Sequence, residues 1–353
     1  MDFELSEEQA MLRDVSRSML ASSCPAELVR EIAAAEGDLD EKLWRLASEI
    51  GWPGLAVPEE YDGAGQGITE LALVAEELGR AAAPGPFVET ALTAATLARS
   101  AGVSLPIDGL LDGSLKATLA HHGAATLTEA GADLVLSGRL RAVQAAAGAD
   151  WLLVTASRAG GGRALAVVEA HRTTRTRRRT LDQTRGWYDV ELDDLRLPAG
   201  HLVSADAAEI DRLVDAATVL TAADALGVGE RLLEMSVDYV KVREQFDRPL
   251  GTFQSVKHKV SDMLTTLKGA RAAVYHAAMS LDAGVRTAPL ATSVAKAFTG
   301  GISRLAGEAL QTHGGIGFTW EHDLHLYLRR AKVDEVLFGA PSEHHERIVA
   351  LLE

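Results

Sequence analysis

The most constraining feature of this sequence is the helical periodicity that follows Ala205 and continues almost to the C-terminus. Glycine, proline or polar residues divide it into four long segments, at about 206–242, 254–283, 289–312 and 322–337. Amphipathic segments of this length, joined by short connections, are typical of an antiparallel helical bundle. We therefore predict a C-terminal four-helix bundle over residues 206–353.

The chain also begins with helical patterns. Ser6 has capping-box spacing to Gln9, and Asp40 can cap a later helix that ends before Gly51 and Pro53. These signals predict an N-terminal helical domain over residues 1–114.

Between residues 115 and 205 the pattern changes to short apolar runs broken by glycines. Val190 and Leu192 alternate with acidic residues, as in half-buried antiparallel strands. We predict a small antiparallel β domain over residues 115–205. The expected fold class is therefore α+β, with this β domain between two helical domains.

Charge and hydropathy exclude several classes of partner. The formal net charge of -15 opposes binding to nucleic acid or to an anionic membrane. The opening Met1-Asp2-Phe3-Glu4 lacks the basic residues of a secretory signal, and no run of about 18 apolar residues without a charge occurs. The lone Cys24 cannot form an internal disulfide, so we expect it to be a packing residue. We predict a cytoplasmic protein.

One basic run departs from this acidic background. It comprises Arg172, Arg175, Arg177, Arg178 and Arg179. These cations could meet the phosphates of a coenzyme. We interpret them as a solvated strand or loop face, because that is the commoner role of a charge run.

Two motifs in the C-terminal half carry the chemical information. The first runs from Arg243 through Phe246 to Gln254, and the second from Gln311 to Gly317. Each alone could be no more than a helix end and a turn. Together they offer a forked guanidinium, an aromatic ring, two amides and glycines that allow close backbone approach. This combination suits the pyrophosphate of a dinucleotide.

With these residues the chain resembles the acyl-CoA dehydrogenase family over nearly its whole length. The resemblance rests on the stretches 1–9, 54–61, 76–80, 243–254 and 311–317, and on Arg329, Ala331 and Lys332. It implies the family fold, which has the domain order predicted above. It also implies FAD as the cofactor.

In the family, the matching cofactor positions reach across a subunit interface. The resemblance therefore implies six residues that hold the AMP and pyrophosphate half of an FAD whose ring lies in the neighbouring subunit: Arg243, Phe246, Gln254, Gln311, Gly314 and Gly315.

The catalytic base expected from the family is missing. The reaction removes an α-proton from a thioester while a hydride leaves for the flavin, which requires a carboxylate. Phe338 stands at the usual base position and Ala340 replaces the threonine that follows; the alternative base position falls at about Ala217. We predict no catalytic residue in this chain. The neighbouring carboxylates that remain as alternatives are Asp215, Glu335 and Glu343.

The β domain departs further from the family pattern. Ala120-His121-His122-Gly123-Ala124-Ala125 stands at the flavin loop, and Ala142-Val143-Gln144 replaces the strand that offers an aromatic ring and a hydroxyl to the flavin. Neither His121-His122 nor His344-His345 has a third ligand at suitable spacing, so we predict no metal site.

These observations lead to one hypothesis and two alternatives. The resemblance includes bacterial heterotetramers of two catalytic and two degenerate chains, several acting on steroid-CoA side chains. We therefore expect a non-catalytic subunit in an α2β2 complex, with acyl-CoA in the partner's site and an electron-accepting flavoprotein downstream. The alternatives are a non-enzymatic homo-oligomer that binds acyl-CoA or acts as a scaffold, and a homomeric dehydrogenase with an unrecognised base.

Overall fold

A computed structural model of the chain describes residues 5–100 and 107–353. The first four residues, on which part of the resemblance and the expected absence of a secretory signal rest, lie outside the described residues. The helices of the N-terminal region are α1 Glu7–Ser23, α2 Ala26–Ala34, α3 Glu41–Glu49, α4 Ile68–Ala81, α5 Phe87–Ala98 and α6 Ile107–Leu111.

Both predicted helix starts are confirmed. Ser6 Oγ accepts a hydrogen bond from Gln9 N at 3.1 Å, and Gln9 Oε1 accepts one from Ser6 N at 3.0 Å, which completes the capping box of α1. Asp40 Oδ1 accepts from Leu43 N at 2.7 Å and caps α3. These bonds satisfy amide groups that have no partner within the helix.

The middle of the chain forms a sheet of eight strands. They are β1 Ala117–Ala120, β2 Gly123–Ala130, β3 Asp133–Gln144, β4 Trp151–Arg158, β5 Arg163–Glu169, β6 Thr174–Arg178, β7 Trp187–Pro198 and β8 Leu202–Ser204. The order is β6-β7-β3-β2-β4-β5-β8, with β1 also paired to β4. The alternation at Val190 and Leu192 falls on β7, which is antiparallel to both β3 and β6.

The sheet is not antiparallel throughout. Strand β4 pairs in parallel with the whole length of β1 through its first four residues, and with β2 over two residues. The physical reason is the route of the chain, because β4 returns beside β1 only after the β2–β3 hairpin, and so runs in the same direction. Short apolar runs do not encode the relative direction of their neighbours.

The C-terminal helical domain is confirmed, but its helices are divided differently from the prediction. They are α7 Ala207–Val242, α8 Gln254–Asp282, α9 Ala288–Thr299, α10 Ile302–His313, α11 Leu324–Asp334 and α12 Pro341–Leu352. The segment predicted at 289–312 breaks between α9 and α10. A Cβ atom on Gly300 would lie 2.3 Å from Pro341 Cγ, so the close approach of α12 requires glycine at this break.

The two helical regions share one hydrophobic core, while the sheet has a second one. Helix α4 crosses α7 at two glycines. A Cβ atom on Gly79 would lie 2.0 Å from Asp224 O, and one on Gly227 would lie 1.7 Å from Glu76 O. This crossing fixes α7 against the N-terminal region. No helix in the described residues is long and apolar enough to span a bilayer.

Candidate functional site

The first flavin motif forms an exposed hairpin at the end of α7. Arg243 caps the helix, and two short strands, β9 Glu244–Gln245 and β10 Arg248–Pro249, pair antiparallel. The turn residues Phe246 and Asp247 have φ values of +55° and +60°. Non-glycine residues in this left-handed region are strained, and such strain is commonest at functional sites.

The side chains of this hairpin are available to a ligand. Phe246 is 87% exposed, and the Arg243 side chain is also exposed. Within the described residues, no carboxylate lies within 4 Å of the Arg243 guanidinium. An arginine has five N–H donors, so this group can still bind an anion.

The second motif is a turn that follows α10. Gly314 has φ +61° and ψ -141°, a conformation that requires glycine, and it leads into a short 3-10 turn over Gly314–Phe318. A Cβ atom on Gly315 would meet no atom within 4 Å in the described structure. The chain's own packing therefore does not require glycine at position 315, whereas close approach by an external group would.

Two contacts hold the motifs at the same end of the helical domain. The Tyr239 ring, one helical turn before Arg243, stacks on His313 with the ring centroids 4.5 Å apart. Lys259 Nζ on α8 lies 2.8 Å from Glu308 Oε2 on α10. The first pair joins the last turns of α7 and α10, and the second joins α8 near its start to α10 near its end.

Large exposed apolar side chains surround these positions. They are Val242, Phe246, Ile316, Phe318 and Trp320. The Arg329 guanidinium lies 4.3 Å from the centre of the Trp320 ring, a cation–π contact. Contiguous exposed apolar groups rimmed by charge are typical of protein interaction surfaces.

The expected base position is filled by an aromatic ring. Phe338 has φ +58°, and its ring centroid lies 6.0 Å from that of His121 and 5.0 Å from that of His122. Burial lowers the pKa of both histidines, that of His121 to about 4, so both are neutral near pH 7. The His344 imidazole fixes the loop through its contact with Phe338 O at 3.0 Å.

The two base positions meet at one small cavity. Ala217 on α7 and Phe338 both line a space of about 40 Å³, which Gln144 also borders. Ligand pockets usually measure about 300–1,000 Å³, whereas this space suits only a few water molecules. The described conformation therefore leaves no room here for an acyl chain or a flavin ring.

The structure adds one carboxylate to this cavity that sequence reasoning missed. Glu89, in the first turn of α5, lines the cavity, and its Oε2 atom is buried without a hydrogen-bond partner among the described residues. Burial raises the pKa of Glu89 to about 7. In the sequence it resembles any acidic residue near a helix start, so only the fold brings it to the base positions.

A buried ionic cluster forms another wall of the cavity. Arg185 lies 2.6 Å from both Asp182 and Asp334, and Arg330 donates to Asp224 from Nε at 2.8 Å. Burial and the neighbouring Asp224 raise the pKa of Asp334. The two guanidiniums offset the negative charge of these buried carboxylates, as burial requires. Sequence reasoning identified none of these residues as part of the site.

The three alternative carboxylates each have a structural partner. Arg347 Nη1 and Nη2 lie 2.7 and 3.1 Å from the two oxygens of Asp215. Lys332 contacts Glu335 at 3.3 Å, and Glu343 accepts from Ala340 N at 2.7 Å at the start of α12. None of the three lines the small cavity.

Other singled-out residues have structural partners as well. Arg177 contacts Asp38 and Tyr188, at 3.0 and 2.8 Å, while Arg178 and Arg179 are exposed beside a cleft of about 610 Å³. Cys24 is buried, which raises its pKa to about 12. No group of three or more potential metal ligands occurs among residues 5–100 and 107–353.

Comparison with known proteins identifies the family. The model described as "Acyl-CoA dehydrogenase, N-terminal domain" matches residues 6–102, and that described as "Acyl-CoA dehydrogenase, C-terminal domain" matches residues 212–351. The chain is 34% identical to the acyl-CoA dehydrogenase IpdE2 of Mycobacterium tuberculosis over 347 residues, which cover 97% of this chain and 96% of the relative.

Two solved structures are similar over almost the full length. The ChsE4-ChsE5 complex from Mycobacterium tuberculosis gives a TM-score of 0.93 at 28% identity, covering 100% of this chain and 99% of the matched chain. A variant of the Tcur3481-Tcur3483 steroid ACAD gives a TM-score of 0.89 at 28% identity, covering 98% of each chain. The chain therefore belongs to the acyl-CoA dehydrogenase family.

Proposed function

We propose that this chain is the non-catalytic subunit of a heteromeric FAD-dependent acyl-CoA dehydrogenase. One observation carries the proposal: both base positions, Ala217 and Phe338, are apolar and meet at a cavity of only about 40 Å³. The reaction requires a carboxylate beside the substrate and a pocket for the acyl group. Neither base position carries a carboxylate, and the cavity at which they meet is too small for an acyl group.

The retained residues support a role in holding the cofactor of a partner. Family membership implies FAD. The Arg243 guanidinium is exposed without a carboxylate partner in the described chain, and Gly315 has open space beside its backbone. Both fit the pyrophosphate of a dinucleotide, which needs forked donors and close backbone approach.

Each retained residue then has a definite task. Arg243 binds pyrophosphate oxygens, Gln254 and Gln311 donate amide hydrogen bonds, and Phe246 packs against the adenosine end. Gly314 and Gly315 allow the backbone to approach the same end. When bound, FAD accepts the hydride that leaves the β-carbon of the acyl thioester. The partner subunit supplies the carboxylate that takes the α-proton.

Relatives support the assembly and the substrate class. The names of two similar structures describe heteromeric pairs, and one of them is a steroid ACAD. A third similar structure comes from work on an electron transferring flavoprotein. We infer an α2β2 complex with a homologous catalytic chain, a steroid side-chain CoA or related thioester as substrate, and an electron-accepting flavoprotein.

One alternative gains a specific observation from the structure. In a homomeric dehydrogenase with an unrecognised base, Glu89 is the group that lies at the cavity with a raised pKa. Such an enzyme would exchange the α-proton of an acyl-CoA in deuterium oxide without a partner, and Glu89→Gln would abolish the exchange. The proposal predicts no exchange by the lone chain.

The direct test of the proposed role is Arg243→Ala in the reconstituted complex. Loss of hydrogen bonds to a charged group, worth about 1.5–3 kcal/mol, should weaken FAD binding roughly tenfold to a hundredfold. Lys241→Ala removes another exposed cation from the last turn of α7 and should leave FAD affinity unchanged. Equal affinities for the wild type and Arg243→Ala would refute the assignment.

A further inference from the structure

A second, larger cavity lies beside the family's active-site position. It has a volume of about 790 Å³ and opens between the ends of α5 and α8 and the starts of α4 and α7. Its apolar wall includes Leu92, Leu165, Leu213, Ala216, Met279 and Leu281. The volume is within the usual range for small-molecule sites. Leu92 also lines the 40 Å³ cavity, so the two spaces are neighbours.

Two arginines line this cavity without acidic partners. Arg99 Nη2 donates to Ala56 O at 3.3 Å, and Arg212 Nη2 donates to Leu281 O at 3.0 Å. In the described parts of the chain, no carboxylate lies within 4 Å of either guanidinium. Each group has five N–H donors, so most of this donor capacity is not used by the described residues.

The carboxylates that line the same cavity are already engaged. Asp282 accepts from Ile68 N at 2.7 Å and from Thr69 N at 2.9 Å, at the start of α4. Glu70 accepts from Gly67 N at 2.9 Å at the same helix start. A third acid, Glu209, accepts from Ser204 in the first turn of α7. Helix N-termini offset negative charge, whereas each arginine has only one carbonyl partner.

We propose that the cavity bounded by Arg99 and Arg212, here called the arginine cleft, binds an amphipathic carboxylate. Its apolar body packs against Leu92, Leu213 and Met279, and its carboxylate accepts charge-assisted hydrogen bonds from the two guanidiniums. The site lies next to the 40 Å³ cavity rather than within it. This inference uses residues that have no part in FAD donation, so it does not depend on the proposed function.

The test is isothermal titration calorimetry of the full chain with two probes, cholate and decanoate. We expect saturable binding with one site for at least one of them. Binding of cholate alone would indicate a ligand with fused rings, and binding of decanoate alone would indicate a ligand with a hydrocarbon chain. Binding of both would show that the cleft accepts either kind of apolar body. The methyl ester of a binding probe should bind at least tenfold more weakly, because it lacks the charge.

Matched variants locate the site. Arg99→Gln and Arg212→Gln should each weaken binding about tenfold or more, the loss expected for hydrogen bonds to a charged group. Arg45→Gln, which removes an exposed arginine on α3, should have no effect. Circular dichroism establishes that the variants fold, and all three should leave the FAD content of the complex unchanged.

Two results would overturn the proposal. One is the absence of saturable binding of either probe at millimolar concentration. The other is binding that both Arg99→Gln and Arg212→Gln leave unchanged, because the probe would then occupy another surface. Since the FAD content of the complex is measured separately, neither result bears on the role of Arg243.

Discussion

Replacing Glu89 with glutamine should stabilise this protein at alkaline pH. The Glu89 carboxyl lines the 40 Å³ cavity, and its Oε2 atom is buried without a hydrogen-bond partner among the described residues. Burial raises its pKa from the ordinary value of 4.5 to about 7. Deprotonation of the folded protein therefore leaves a carboxylate in an environment that solvates it poorly.

The sign and size of the effect follow from proton binding. Between pH 4.5 and about 7 the folded chain holds a proton on Glu89 that the unfolded chain has released, so stability falls as pH rises through this window. A shift of about 2.5 units at 1.36 kcal/mol each corresponds to about 3 kcal/mol. This is the upper limit, because water in the cavity would reduce it. Glutamine has the same shape and no charge at any pH.

The assay is urea unfolding of the wild type and Glu89→Gln at pH 5 and pH 8, followed by tryptophan fluorescence. The variant should be more stable by up to about 3 kcal/mol at pH 8 and by less than about 1 kcal/mol at pH 5. The control Glu60→Gln, at an exposed position, should have the stability of the wild type at both pH values. A difference that is the same at both pH values, or a variant that is less stable at pH 8, would refute this reasoning.

Two further substitutions test the contacts around the site. Arg330→Leu should cost about 3–5 kcal/mol in unfolding free energy, because it leaves buried Asp224 without its hydrogen-bonded partner. Adding Asp224→Leu should restore most of this loss. Equal stabilities of the single and double variants would contradict the prediction. Asp282→Ala should lower the free energy of unfolding by about 1–3 kcal/mol, because amides at the start of α4 lose their acceptor. The control Asp262→Ala, at an exposed position, should change it by less than about 0.5 kcal/mol.

Local sequence signals predicted much of the fold correctly. The capping residues Ser6 and Asp40 located α1 and α3, because a cap depends only on residues within one turn. The long apolar period also located α7 to within one residue at its start. By contrast, the break between α9 and α10, at Gly300 and Gly301, was not predicted. The packing of Pro341 against Gly300 joins residues far apart in sequence, which no local pattern indicates.

The six FAD-binding residues stay a prediction, and the structure shows only the local conformation of their motifs. Arg243 and Gly314 each lie at the C-terminal cap of a helix, a position that the local sequence encodes. The cavity wall was not predictable, because Arg330 and Asp224 are separated by 106 residues. No periodicity identifies such a pair. Glu89 was missed for the same reason.

The most direct test of the central claim is FAD and mass stoichiometry. This chain should be purified alone and together with a homologous acyl-CoA dehydrogenase subunit that contains the catalytic carboxylate. The lone chain should carry no FAD, and the complex should carry one FAD per unlike pair. Stoichiometric FAD on the lone homomer would contradict it, because the site near Phe338 would then hold a flavin without a partner.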